Sequence, residues 1–126
     1  MLDLVSVVIP TYNRSEELKR ALESVLSQTY KNFEVIVVDN NSTDGTDGML
    51  KDLNDQRIRL LKINNNGVIA ASRNLGIDAS SGKWIAFLDS DDWWYSNKLE
   101  RVMYYCNSGY DVCYHDLKII SSQRKF

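Results

Sequence analysis

Apolar positions along the chain fall into two rhythms that take turns, short β-branched runs and stretches with helical spacing. Val5–Ile9 (VSVVI) reads as a strand closed by Pro10, because proline offers no N–H to a ladder. Ser15 is then placed to cap a helix, with Glu16 and Glu17 suiting the positive end of its dipole. Leu18, Ala21, Leu22, Val25 and Leu26 follow at i, i+3, i+4, i+7 and i+8 and make one apolar helix face. Phe33–Val38 is almost continuously apolar, as expected of a strand covered on both sides, and it ends at Asp39. A short helix over Thr46–Leu53, a strand over Ile58–Ile63 and a helix carrying Ala70, Ala71, Leu75 and Ala79 come next. Gly82 breaks that helix ahead of a fourth strand, Trp84–Leu88. A last helix starting near Ser96 presents Leu99, Val102, Met103 and Cys106 on one face, and Val112–Tyr114 is a candidate fifth strand.

Strict alternation of strand and helix predicts right-handed crossovers, hence an α/β fold with a mostly parallel sheet and helices on both faces. Open sheets of this kind take ligands at the carboxyl ends of their strands. Three polar clusters belong to that edge: Thr11-Tyr12-Asn13-Arg14, Asp39-Asn40-Asn41-Ser42 and Asp89-Ser90-Asp91-Asp92.

Composition narrows the picture. The 126 residues suit one domain, residues 1–126, with no linker or repeat. Fifteen basic against 17 acidic residues give a net charge of −2, without the basic excess of a nucleic-acid-binding surface. Cys106 and Cys113 are the two cysteines and read as small packed residues; a zinc site or disulfide framework needs more ligands at tighter spacing. No stretch approaches the roughly 20 apolar residues of a membrane span, and no leader precedes the first strand, so a cytoplasmic chain is expected. In that setting the N-S-T sequon at Asn41 is coincidental.

Among the clusters, the acidic one speaks most directly of chemistry. Three carboxylates within four residues, straight after a buried strand, repel one another unless a cation or hydrogen-bond donors compensate them. Their oxygens are hard ligands suited to Mg²⁺ or Mn²⁺ together with substrate phosphates. A solvated helix-capping loop is the competing reading. Asp39, ending the second strand, fits either a contact to a ribose or base edge or a simple Asx turn. Tyr12 can stack on a base or merely pack. Arg73 is either the fixed cation nearest the phosphates or an ordinary exposed helix arginine. His115, the lone histidine, sits beside Asp116 with no third partner in view, which leaves a general base or a surface residue. Neither G-x-G-x-x-G nor a Walker motif is present. An EF-hand starting at Asp39 fails because its glycine and glutamate positions hold Asp44 and Leu50.

Val5–Arg14 (VSVVIPTYNR), Phe33–Thr46 (FEVIVVDNNSTDGT) and Asn66–Asp92 (NGVIAASRNLGIDASSGKWIAFLDSDD) together resemble the family 2 glycosyltransferases of the GT-A fold, in order and spacing, over about Val5–Leu117. The resemblance implies a Rossmann-like nucleotide-sugar-binding half, truncated before the acceptor-binding half. It implies that Tyr12 and Asp39 contact the nucleoside and that Arg73 lies near the nucleotide. It also implies that Asp89, Asp91 and Asp92 form the D-x-D-type site, holding the ribose and a divalent ion, with Asp91 and Asp92 as the ligands of Mn²⁺ or Mg²⁺ and Ser90 among the donor-binding residues. Pro10, Thr11, Arg14 and Asn41 are grouped with the donor-binding residues. The implied reaction is inverting transfer from a nucleotide-diphosphate sugar, a UDP-sugar by the family's habit, to a saccharide or lipid-linked acceptor in bacterial surface polysaccharide assembly. By the same resemblance the catalytic base comes from beyond Phe126. Ser121–Lys125 marks the handover, and His115 and Asp116 lie in the wrong block for that role. The family's frequent proline before the last helix is Ser96 here, which can cap. A missing second half would leave an apolar face uncovered and open to self-association.

Two other readings compete. A non-catalytic nucleotide- or metal-binding module would use the same site without turnover, and a receiver-like or dinucleotide-binding domain rests on general α/β topology alone.

Overall fold

The computed structural model describes residues 2–118. Four strands, β1 (Val5–Thr11), β2 (Phe33–Asp39), β3 (Ile58–Lys62) and β4 (Trp84–Phe87), alternate with four helices, α1 (Ser15–Leu26), α2 (Thr46–Leu53), α3 (Ile69–Ala79) and α4 (Lys98–Asn107). All strand pairs are parallel, in the order β3-β2-β1-β4. The two strands with the densest β-branched runs, β1 and β2, take the centre, where both faces need apolar cover.

The helices cover the two faces differently. On one face Val5, Val7 and Ile9 of β1 and Val35 and Val37 of β2 meet Leu18, Leu22 and Val25 of α1 and Leu99 and Met103 of α4, with α2 packed alongside through Met49, Leu50 and Leu53. Each such buried aliphatic side chain contributes roughly 1.5–3 kcal/mol. On the other face α3 alone packs on β1 and β2, and it does so closely: a Cβ at Gly76 would run into the methyls of buried Val8. Trp84 and Ala86 of β4 turn to the first face. The alternate residues Ile85 and Phe87 therefore look out beside α3, 38% and 47% exposed, an apolar surface without cover. Gly82, expected to break the helix before β4, lies beyond α3, which ends at Ala79, and sits where a Cβ would come within 2.7 Å of Ser6 N and 2.9 Å of Leu4 O. Only a residue without a side chain fits there.

Four expectations need correction. Pro10 does not close β1, which continues to Thr11 with Pro10 opposite Val38. The reason lies in register: the Val8 carbonyl accepts from Leu88 N, so even-numbered residues of β1 turn their backbone groups toward β4. β4 has ended at Phe87, opposite Val8, and no neighbour calls for the N–H that Pro10 lacks. Ser15 is the first residue of α1, not its cap, and Ser96 lies outside α4, whose N-cap is Asn97. Instead Ser15 N donates to Asp44 Oδ2 (3.0 Å) and the Ser96 carbonyl accepts from Thr29 N (2.8 Å). Val112–Tyr114 is not a strand: Tyr110–Lys118 has no regular structure, and Val112 and Tyr114 are 79% and 91% exposed. Three residues with no ladder to join cannot hold a strand. Cys106 is buried in α4, and Cys113, expected in that strand, is half-buried against the core; both are free thiols.

Among the described residues no helix is long and apolar enough to cross a membrane. The segment Ser121–Lys125 lies outside the described residues.

Candidate functional site

Strand order reverses at β1: the chain steps to β2 on one side and later returns to lay β4 on the other. At such a point the two crossovers leave on opposite faces and a crevice opens beyond the carboxyl ends of the strands. Here it is widened because β1 outruns β4, whose last residue pairs with Val8. The resulting cleft of ≈ 600 Å³ is walled by Pro10–Arg14 after β1, by Asn40 after β2, by Asn65 and Gly67, by Ser72 and Arg73 of α3, and by Asp89, Ser90 and Asp91 after β4.

Its floor is stitched together by the loop after β2. Ser42 N donates to Asp39 Oδ1 (3.2 Å), and the Ser42 hydroxyl donates to the same carboxylate while accepting from Asn13 N (2.8 Å). The Asn13 side-chain oxygen accepts from Thr43 N (2.8 Å). Asn13 and Asn41 both hold positive φ, 48° and 58°, a region asparagine tolerates better than most side chains. Asp44 closes the loop by accepting from Ser15 N, Thr46 N and the Thr46 hydroxyl. The Thr46 hydroxyl above all, and Ser15, hold the Asp44 carboxyl below the ordinary carboxylate range. Much of the segment read from sequence as a binding loop is therefore spent on joining β1, β2, α1 and α2.

Asp39 has no exposed surface at all, and its second oxygen accepts from Lys62 Nζ (3.0 Å), which also reaches Asp47 (2.6 Å). Both of its oxygens are engaged from within the protein. The next residue, Asn40, is the one that lines the cleft, and its side-chain oxygen accepts from Asn65 N (3.2 Å). Thr11 lies alongside, 5% exposed; among the described residues its Oγ1 is the buried side-chain polar atom without a hydrogen-bond partner. Tyr12 is 57% exposed, with its ring free to stack.

Opposite these groups, Asp92 N donates to Asp89 O (3.0 Å) and closes a turn. The turn brings one carboxylate oxygen from each of Asp89, Asp91 and Asp92 within 4.8 Å of one another. Three arginines surround it. Arg73 pairs with Asp89 (2.9 Å) and Arg14 with Asp91 (3.7 Å), while Arg20 Nη2 donates to the Asp91 carbonyl (3.1 Å). Burial, and then the charges of Asp91 and Asp89, push the Asp92 carboxyl above its ordinary range, with Arg20 pulling it back. A hard divalent cation fits this donor set, since it would relieve a repulsion the arginines compensate only in part. The carboxylates of Asp89, Asp91 and Asp92 together are close enough for one ion to bridge them.

Of the donor-binding residues expected from sequence, Pro10, Thr11, Tyr12, Arg14, Arg73, Asp89, Ser90 and Asp91 line this cleft. Asp39 and Asn41 lie beneath and beside it, Asn41 exposed and Asp39 buried, and Asp92 completes the acidic turn. His115 and Asp116 are exposed, on the irregular segment after α4, and away from the cleft lining. Asn40 and Asn65 were not singled out from sequence. Their signal was present but faint: each follows a strand on the carboxyl edge, where asparagine also reads as ordinary turn chemistry.

A parallel α/β sheet with a cleft at its order reversal is the frame this chain shares with solved glycosyltransferases of the GT-A fold. The sequence matches the family described as Glycosyl transferase family 2 over residues 6–125, and the chain belongs to that family. It is similar to WfgD of Escherichia coli, a UDP-Glc:alpha-D-GlcNAc-diphosphoundecaprenol beta-1,3-glucosyltransferase, with 38% identity over 120 residues, 94% of this chain and 47% of WfgD. Crystalline S. aureus TarS 1-349 in complex with UDP superposes with a TM-score of 0.77 at 29% identity, over 82% of this chain and 32% of that one. The mannosyltransferase PcManGT from Pyrobaculum calidifontis, in complex with GDP-Man and Mn²⁺, gives 0.65 at 27% identity, over 71% of this chain and 28% of that one. The chain thus spans less than half the length of each of these relatives.

Proposed function

We propose that the cleft binds a nucleotide-diphosphate sugar, a UDP-sugar by likeness to the UDP complex of TarS, and that the acidic turn takes the divalent metal that accompanies it. The observation that carries this reading is the meeting, in the lining of one cleft, of a stackable Tyr12, the amide of Asn40 and the carboxylates of Asp89 and Asp91, with Asp92 completing their turn. Tyr12 would cover the base. Asn40, whose amide has both a donor and an acceptor, would meet the base edge, and Asp39 would act through the loop it holds rather than by contact. Arg14 and Arg73 would turn from their carboxylates toward the diphosphate.

Transfer would then be a single displacement. An acceptor hydroxyl attacks the anomeric carbon, the bond from that carbon to the diphosphate breaks with inversion, and the hydroxyl proton passes to a general base. A bound Mn²⁺ or Mg²⁺ would neutralise charge growing on the leaving diphosphate. An acceptor of the kind named for WfgD, a sugar on a lipid diphosphate, suits a cytoplasmic enzyme working at the inner membrane face in surface polysaccharide assembly.

Calorimetric titration with UDP, with and without Mn²⁺, tests the reading. Binding should be tighter with the metal, and equal affinity in both would remove the acidic turn from the site. If UDP binds but UDP-sugar is neither transferred nor hydrolysed, the chain by itself is a binding module.

A further inference from the structure

One face of α1 carries a polar stripe that the catalytic reading leaves unused. Arg20, Ser24 and Gln28 follow one another at intervals of four residues, from α1 to just past its end, and so lie along one line. Each grips the backbone of the segment that leaves the acidic turn. Arg20 Nη2 donates to Asp91 O (3.1 Å), and Ser24 Oγ accepts from Trp94 N (3.1 Å). Gln28 donates to Tyr95 O (2.7 Å) and accepts from Leu99 N (2.9 Å). Ser24 and Gln28 are 9% and 0% exposed, so these bonds are made out of water. Arg20 is exposed, but its guanidinium also lies over the ring of Trp93, 4.1 Å from the centroid. A planar cation with one N–H on a carbonyl and one face on an indole has little freedom left.

Resting on the metal site proposed above, we infer that Arg20 is a positioning residue for that site, setting Asp91 and through it the spacing of the three carboxylates. Arg14, at the N-cap of α1, and Arg20, midway along it, both reach Asp91, yet they do opposite things. Arg14 pairs with the carboxylate and competes with an incoming cation. Arg20 holds the carbonyl behind it, leaving both carboxylate oxygens available.

The sign of the effect separates this role from simple charge. Removing a positive side chain beside a cation site should strengthen metal binding by electrostatics alone. Losing a positioning contact behind a metal ligand costs about tenfold or more in affinity. The test is Mn²⁺ affinity without nucleotide, read from free-Mn²⁺ EPR, for the unmodified chain and for Arg20→Ala, Arg20→Lys and Arg14→Gln, with the melting temperature of each. Arg20→Ala should bind Mn²⁺ about tenfold more weakly. Arg20→Lys, which keeps the charge and loses the planar fork, should also weaken it, with melting temperatures unchanged. Arg14→Gln should bind as tightly as the unmodified chain or more so. Unchanged or tighter Mn²⁺ binding in both Arg20 variants overturns the inference while leaving the metal site standing. Absence of Mn²⁺ binding in the unmodified chain overturns the metal site itself.

Discussion

Asp39 and Asp91 leave the same edge of the same sheet, each just after a strand, yet their surroundings are opposed. Asp39 is sealed, with Ser42 and Lys62 taking both oxygens. Asp91 stands exposed beside two more carboxylates, and its partner Arg14 is distant enough, at 3.7 Å, to be displaced. The difference is one of supply. Asp39 has its donors provided by the fold, whereas in the acidic turn three carboxylates crowd together and, among the described residues, Asp92 has no ion-pair partner. Position on the carboxyl edge nominates a residue; the count of its internal partners decides what it is for.

That contrast can be broken. Asp39→Ala should lower unfolding free energy by about 3 kcal/mol, because it strands the Ser42 donors at a buried position and removes one of the two carboxylates that hold Lys62. Urea denaturation measures this. The double substitution Asp91→Ala with Asp92→Ala should shift stability by no more than about 0.5 kcal/mol, since it removes exposed charges that repel. It should abolish whatever affinity for UDP depends on Mn²⁺. A destabilisation equal to that of Asp39→Ala would show the turn to be structural after all.

The finest cut is by pH. Hydrogen bonds from Lys62 to Asp47 and Asp39 raise its ammonium above the ordinary 10.5. The folded chain then holds that proton to higher pH than the unfolded chain does. The stabilisation is complete below 10.5 and fades as pH climbs through the raised value. At about 1 kcal/mol for a half-exposed lysine, the difference in stability between the unmodified chain and Lys62→Met should be greatest at neutral pH and close in strong alkali. A gap that widened there would mean that Lys62 does not hold Asp39 as an ion pair.

Most of the fold was legible because its signals are local. The continuous apolar runs of β1 and β2 and the i, i+3, i+4 spacing of α1 each point to one element without knowledge of the rest. What misled depended on neighbours. Pro10 ends a strand only if some strand needs its N–H there, and none does. Val112–Tyr114 has strand composition and no ladder to join. The site was legible as a set of loops on one edge, but that Asn40 lines the cleft while Asp39 lies buried beneath it was not. Adjacent polar residues after a strand point to opposite sides, and nothing in their types says which side holds the cleft. The Arg20, Ser24 and Gln28 stripe was hidden for a similar reason: on α1 those residues look like a solvent face until the segment after β4 is laid against them.

The chain's one proline has a further consequence. Where β1 outruns β4, a stretch of strand lies open on one side, and such stretches recruit strands from other molecules. Pro10 removes the amide that an intruding strand would need at that rung. The open edge beside the cleft is thus guarded against being zipped shut, not by a charge or a lid, but by an absent hydrogen.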